Sequence, residues 1–269
     1  MSHTARMSLL KEALRAGVSR HAHSNSTRRR VLVAGGAGAL GGAVLEQLLA
    51  SHAFEHVAVL VTQPVNVAMR GLVTINESAL SDGTTAHEDT AVIVFDRERH
   101  ANGRELAFLR PQPDRLPTLA AALHERGVRH LIVVMPHAAA SLPEALKAGL
   151  ANLDEHAVAA LGFDHLIFIR SAQMSSNAKQ ASAAQRVADW VLSQLQLMIP
   201  QRDKPVRPMK VAQLAAQLAA HLPQSLPGTR VVPPELVWEA AQSRHVEALV
   251  IDWLSGRAPE EAAPPMMRM

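Results

Sequence analysis

Val31-Leu32-Val33-Ala34-Gly35-Gly36-Ala37-Gly38-Ala39-Leu40-Gly41-Gly42 is the stretch from which the rest of this chain is read. Residues 31–34 are short, β-branched and wholly apolar, the composition of a strand buried on both faces. Glycines then interrupt, and over about 39–51 the apolar residues return at helical spacing. Two glycine spacings coexist, Gly36-x-Gly38-x-x-Gly41 and Gly35-x-x-Gly38-x-x-Gly41. Residues without Cβ allow a tight turn and let backbone N–H groups approach an anion closely. A helix starting there directs its free N–H groups and positive dipole end at the same point. Gly41 allows the helix to lie close to the strand. A glycine motif alone is a weak signal, but between a buried strand and a helix it predicts a cradle for the pyrophosphate of a dinucleotide, built from Gly35, Gly36, Ala37, Gly38, Ala39, Leu40 and Gly41.

Outward from that stretch, residues 57–61, 71–75, 90–95, 131–134 and 165–169 read as further strands. Helices are expected over 113–126, 142–161 and 177–197, with Gly127 and Gly162 closing the first two. Residues 76–89 are polar and read as a loop. The alternation predicts parallel βαβ units in one sheet: α/β class, a Rossmann-like doubly wound parallel sheet. A Pro- and charge-rich connector over 200–208 leads to a helix at 211–222, then a short extended piece and two helices over 229–254. The expected organisation is a basic flexible segment (1–29), a dinucleotide-binding domain (30–199), a small, mostly helical C-terminal part (200–257) and a loose Ala/Pro-rich tail (258–269).

Composition sets the bounds. At 48% hydrophobic residues the chain can bury a sizeable core, and at 3% aromatics that core must be Ala, Leu and Val. A net charge of +3 is too small to imply a nucleic-acid partner. Without cysteine there is no disulfide, thiolate nucleophile or thiolate metal site. No apolar run approaches the ~18 residues of a spanning helix, so no membrane partner is expected and the reading is a cytoplasmic protein. The first 29 residues hold one acid, Glu12, among many Arg, His and Ser residues. Residues 7–18 suit a short amphipathic helix, as in an organellar presequence or a plain tail. Arg28-Arg29-Arg30 before an apolar run has the form of a twin-arginine export signal, but that run is better explained as the first strand. The adjacent acids Glu88-Asp89, Asp154-Glu155 and Glu260-Glu261 lack a second ligand cluster, so no metal site is predicted. Ser171 and Ser175 lack the setting of a nucleophile elbow.

The second strand ends Val61-Thr62-Gln63-Pro64. An NAD site usually offers an acid there for the ribose hydroxyls, so its absence favours NADP slightly over NAD. Thr62, at that strand end, is a candidate for binding the cofactor, and Arg70, the nearest cation, is a candidate for the 2′-phosphate.

Taken together, residues 30–240 resemble the atypical short-chain dehydrogenase/reductases, nearest to the small bacterial NAD(P)-binding group related to the human Tat-interacting oxidoreductase. The resemblance lies in 31–49, in Gly127-Val128-Arg129-His130-Leu131-Ile132-Val133-Val134, and in Leu161 to Ser171 with its Ile169-Arg170-Ser171 ending. Residues 208–222 and Pro227-Gly228-Thr229-Arg230-Val231 are similar to the family's C-terminal part. It implies a Ser at the end of the fifth strand and a Tyr-x-x-x-Lys at the start of the next helix. The phenol would move the proton beside hydride transfer, and the Lys would bind the nicotinamide ribose. Laid on this chain, Lys147 takes the Lys position, Pro143 the Tyr position, and Met135 or Pro136 the Ser position. No shift restores the phenol, because the chain contains no tyrosine. General acid–base help is worth ~100- to 10,000-fold in rate. The expectation is therefore an NAD(P)-binding protein acting as a sensor or scaffold. The alternative is an NADP-dependent oxidoreductase of a small carbonyl substrate using a substitute acid, with His137 the first candidate and Asp96, also expected just past a strand end, its partner in an acid–base pair. The bulky, charged Phe95-Asp96-Arg97-Glu98-Arg99-His100 departs from the small residues the family has there. A stripe of Ala184, Val187, Val191 and Leu195 beside Trp190 suits core packing or, alternatively, a homodimer contact. The dinucleotide is the expected partner, beside a small-molecule substrate or a protein.

Overall fold

The computed structural model describes residues 29–65, 69–80, 88–96, 106–137, 154–172 and 206–256. The expected amino-terminal helix, Pro143, Lys147, the expected helix over 177–197 with its Trp190 stripe, Ser175, and the carboxyl tail lie outside the described residues.

Among the described residues, seven strands form one sheet. They are β1 (Arg30–Ala34), β2 (His56–Val61), β3 (Leu72–Asn76), β4 (Thr90–Val94), β5 (His130–His137), β6 (His165–Ala172) and β7 (Gly228–Val232). Their order is β3-β2-β1-β4-β5-β6-β7, and every pairing is parallel. Because side chains alternate along a strand, each strand feeds two cores. Val31, Val33, Val57, Val59, Val92, Val94, Ile132 and Ile167 face one side, where α1 (Gly38–Ala50), α3 (Pro208–His221), α4 (Pro234–Gln242) and α5 (Val246–Leu254) pack. Leu32, Leu60, Ile93, Leu131, Val133 and Phe168 face the other, against α2 (Leu116–Glu125) and Val158 of the helical stretch 154–159. Helices on both faces of a parallel sheet are what continuous apolar strands require.

Several boundaries differ from the sequence reading. Glu77–Leu80 is a 3₁₀ turn inside the expected polar loop. Pro208 opens α3 instead of ending a connector, as suits a residue with fixed φ and no N–H to satisfy. The short extended piece is β7, a full member of the sheet paired with β6. Strands β5 and β6 run on beyond residues 134 and 169 because they pair with each other to the end, Met135 with Arg170 and His137 with Ala172. His137 therefore closes β5 and does not follow it.

Arg29, expected in the flexible segment, belongs to the fold. Its guanidinium donates to the carbonyls of Ala219 and Ala220, at 2.7 and 2.6 Å, in the last turn of α3. It also lies 4.9 Å over the Phe54 ring. A cation satisfying orphan carbonyls at the negative end of a helix is favourable twice over. Burial lowers its pKa, and Asp89 opposes that shift. Arg29→Met, which keeps an apolar stem, is expected to lower unfolding free energy by about 2 kcal/mol, read by urea denaturation.

At the amino edge of the sheet, His130 and His165 open β5 and β6 as register partners. Both are buried, with their Nδ1 atoms 2.9 Å apart. The Ser225 carbonyl, 3.1 Å from His165 Nε2, requires the proton on that nitrogen. In a neutral pair His165 Nδ1 then accepts and His130 Nδ1–H donates. Burial lowers the His130 pKa, and His165 and Arg29 add to the shift against Asp89 and Asp164. The folded state thus binds fewer protons at His130 than the unfolded chain. Its stability contribution is complete above the unfolded value of about 6.5 and is lost as pH falls below it toward the lower folded-state value. The fall in Tm from about pH 7 to about pH 5 should therefore be smaller in His130→Asn than in the parent, by differential scanning calorimetry. An equal fall in both would remove His130 as the cause.

Candidate functional site

Connections leave β1 and β4, adjacent in the sheet, toward opposite sides. In open parallel sheets the carboxyl ends of such a strand pair border the crevice where ligands bind. The glycine turn lies there, between β1 and α1.

The glycines differ in what they do. Gly35 has φ +94°, and a Cβ on it would overlap the Val94 carbonyl of β4 and press on Pro111. A Cβ on Gly36 would meet Leu45 and Val59 side-chain atoms at 2.7 and 2.8 Å. A Cβ on Gly41 would overlap the Gly35 carbonyl, so the first turn of α1 rests on the β1 turn itself. These three serve packing. Gly38, with φ +83°, faces the crevice, and its missing Cβ would stand 2.5 Å from Asp96 Oδ2.

The start of α1 has no cap of its own: Ala37 offers no side-chain oxygen and the first turn has no acid. The anion comes from elsewhere. Leu40 N–H donates to Asp96 Oδ2 at 2.8 Å. Asp96 follows β4, and since β4 lies beside β1 its carboxylate reaches the start of α1. Charge-assisted bonds of this kind are short and strong, and the helix dipole adds to them.

A second segment borders the turn. Residues 106–111 return from the β4 connection, and Val61 bridges Phe108 in antiparallel fashion. Leu109 N–H donates to Leu60 O at 2.9 Å, and Thr62 N–H to Ala107 O at 2.8 Å. The exposed Thr62 thus sits at the end of β2 as expected, with its hydroxyl 3.3 Å from the same Ala107 carbonyl. Beyond this strap a shallow pocket is lined by Glu77, Leu80, Arg110, Arg115, Thr118 and Leu119. Glu77 and Arg115 approach to 3.8 Å across it. Sequence reasoning passed over Glu77, Arg110 and Arg115. The signal available was the pairing of β2 with β3, which puts Asn76 beside Val61 and brings Glu77 to the carboxyl edge.

Other expected groups fall elsewhere. Arg70 precedes β3, at the amino edge of the sheet, so the five residues of β3, about 16 Å of strand, separate it from the glycine turn. It is exposed and cannot meet a phosphate held at the opposite edge. Asp96 is engaged with the amide of Leu40. His137 ends β5 one step beyond Pro136, and its side chain lies outside the described residues. Arg170, in the last half of β6, binds both Glu155 oxygens at 2.6 and 2.7 Å and ties stretch 154–159 to the sheet. Among the described residues no three His, Asp or Glu side chains group as metal ligands, and no helix is long and apolar enough to cross a membrane.

The strand order, the glycine turn at the switch point and the helices on both faces define a Rossmann-type α/β protein. No family model matches the chain, and no curated protein matches it. Among solved structures it is similar to a uronate dehydrogenase variant from Agrobacterium tumefaciens complexed with NAD, at 14% identity over 88% of this chain and 91% of that one, with a TM-score of 0.48. It is similar also to a nucleoside-diphosphate-sugar epimerase from Staphylococcus aureus, at 13% identity over 85% and 90%, with a TM-score of 0.46. Another structure of the Agrobacterium dehydrogenase aligns with 54% of this chain at 16% identity and a TM-score of 0.37, and there the chain spans 62% of that enzyme's length. These are likenesses of fold, and the fold rests here on its own topology.

Proposed function

We propose that the protein binds a nicotinamide dinucleotide at the carboxyl edge between β1 and β4, prefers NADP to NAD, and works as a cofactor-linked sensor or scaffold of the atypical short-chain reductase type. The observation that carries this reading is that the start of α1 already holds an anionic oxygen 2.8 Å from Leu40 N, at a turn where Gly38 has no Cβ. A phosphate oxygen is the same kind of partner for that amide. The preference for NADP is supported by the absence of an acid among Thr62, Gln63 and Pro64, and by Arg110 and Arg115 in the neighbouring pocket. A bound nicotinamide would supply hydride chemistry. The chain's own contribution to proton transfer is missing its usual device, since it has no tyrosine.

Titration of the full chain with NADPH and with NADH, followed by nicotinamide fluorescence and calorimetry, tests the reading. Binding of NADPH at least about threefold tighter than NADH, about 0.65 kcal/mol, with no turnover across a panel of carbonyl compounds is expected. Arg115→Ala should erase that preference. Turnover that disappears in His137→Ala would replace the proposal with a working oxidoreductase, and failure of both nucleotides to bind would end it.

A further inference from the structure

We infer that Asp96 is a built-in anion that occupies the phosphate cradle, so that a dinucleotide binds only by displacing it. This rests on the proposed dinucleotide site and adds the means by which the chain restrains it. Two contacts of its carboxylate, and the segment that borders the same turn, carry the inference. The Asp96 carboxylate accepts the Leu40 N–H at 2.8 Å. It fills the side of Gly38 that the missing Cβ leaves open. Bordering the same turn, residues 106–111 are fastened to the end of β2 by Leu109 and Thr62, with Pro111 against Gly35. One amide cannot serve a carboxylate and a phosphate fully at once, and two anionic oxygens side by side repel. The first turn of α1 carries no acid of its own, and Asp96 supplies a charge that its dipole end would otherwise take from solvent or a ligand. The resting protein is thereby stabilised by the group that the ligand must expel. Affinity for the dinucleotide is set by the difference between the two anions and not by the cradle alone.

Asp96→Asn keeps the size of the side chain and removes its charge, and Asp96→Ala removes both. Each is compared with the parent full chain in two measurements. In the first, NADPH is titrated by calorimetry, and both variants are expected to bind at least tenfold more tightly than the parent. In the second, thermal unfolding is followed with and without sodium pyrophosphate at constant ionic strength. Asp96→Ala is expected to melt lower than the parent and to be raised by pyrophosphate, while the parent is little affected. Parent and variants binding NADPH equally, or the variants more weakly, would overturn the plug and leave the dinucleotide reading standing. Failure of all three to bind NADPH, with pyrophosphate still rescuing Asp96→Ala, would support the plug and sink the dinucleotide reading. Absence of rescue in Asp96→Ala and of any gain in Asp96→Asn would sink the plug whatever the nucleotide does.

Discussion

Gly41→Ala should lose at least about 3 kcal/mol of stability, while Gly42→Ala, one residue along the same helix, should gain up to about 1 kcal/mol. The two positions share helix, sequence neighbourhood and residue type, so propensity alone predicts equal gains. They differ in surroundings. A Cβ on Gly41 would overlap the carbonyl oxygen of Gly35 and crowd the carbonyl carbons of Gly35 and Gly36, all main chain that cannot rotate aside. Relief requires α1 to lift from β1, which opens the core between Leu40, Val44 and Val31. A Cβ on Gly42 meets nothing within 4 Å, and Gly42 is exposed. For a folded unit of this size the Gly41 effect corresponds to a Tm lower by about 10 °C. Thermal melts of the two variants side by side decide the matter. Equal Tm values would mean that α1 does not rest on the β1 turn as described.

Gly38→Val is expected to lower NADPH affinity by at least about 100-fold, near 2.7 kcal/mol, with a smaller loss of stability. A valine at φ +83° is strained, and its Cβ would enter the place now held by Asp96 Oδ2. That place is also where an anion is held by Leu40 N–H, so the added methyl groups would keep phosphate from the amide as well. Calorimetric titration of the variant checks the effect, with Gly42→Ala as the control that leaves the cradle untouched. Undiminished affinity in Gly38→Val, in a protein that remains folded, would place the phosphates away from the glycine turn.

The architecture was legible in the local pattern. Val31 to Ala34 is apolar without interruption because both of its faces are covered, and the change to helical spacing after the glycines needs no distant residue to explain it. The same holds for the alternation of strands and helices, which limits the chain to a few topologies. The glycine turn was legible in part. The sequence located it between strand and helix, but it could not separate Gly35, Gly36 and Gly41, which lie against packed neighbours, from Gly38, which faces the crevice. Boundaries were missed where pairing extends a strand. Met135 to His137 would not be chosen as strand by composition, and they are strand because Arg170 to Ala172 lie beside them.

By itself the sequence determined the fold class, the glycine turn and the absence of tyrosine, because each is a matter of residue identity and local spacing. Only the tertiary structure decided who shares the crevice. Asp96 reaches Leu40 across 56 positions of sequence because β4 is laid next to β1, and Phe108 meets Val61 because the chain doubles back over the end of β2. Arg70 was assigned to the site by its nearness in sequence, and parallel pairing puts it on the far edge. Strand order and direction are set by packing over the whole sheet, so which side chain meets which amide is not written in any one segment.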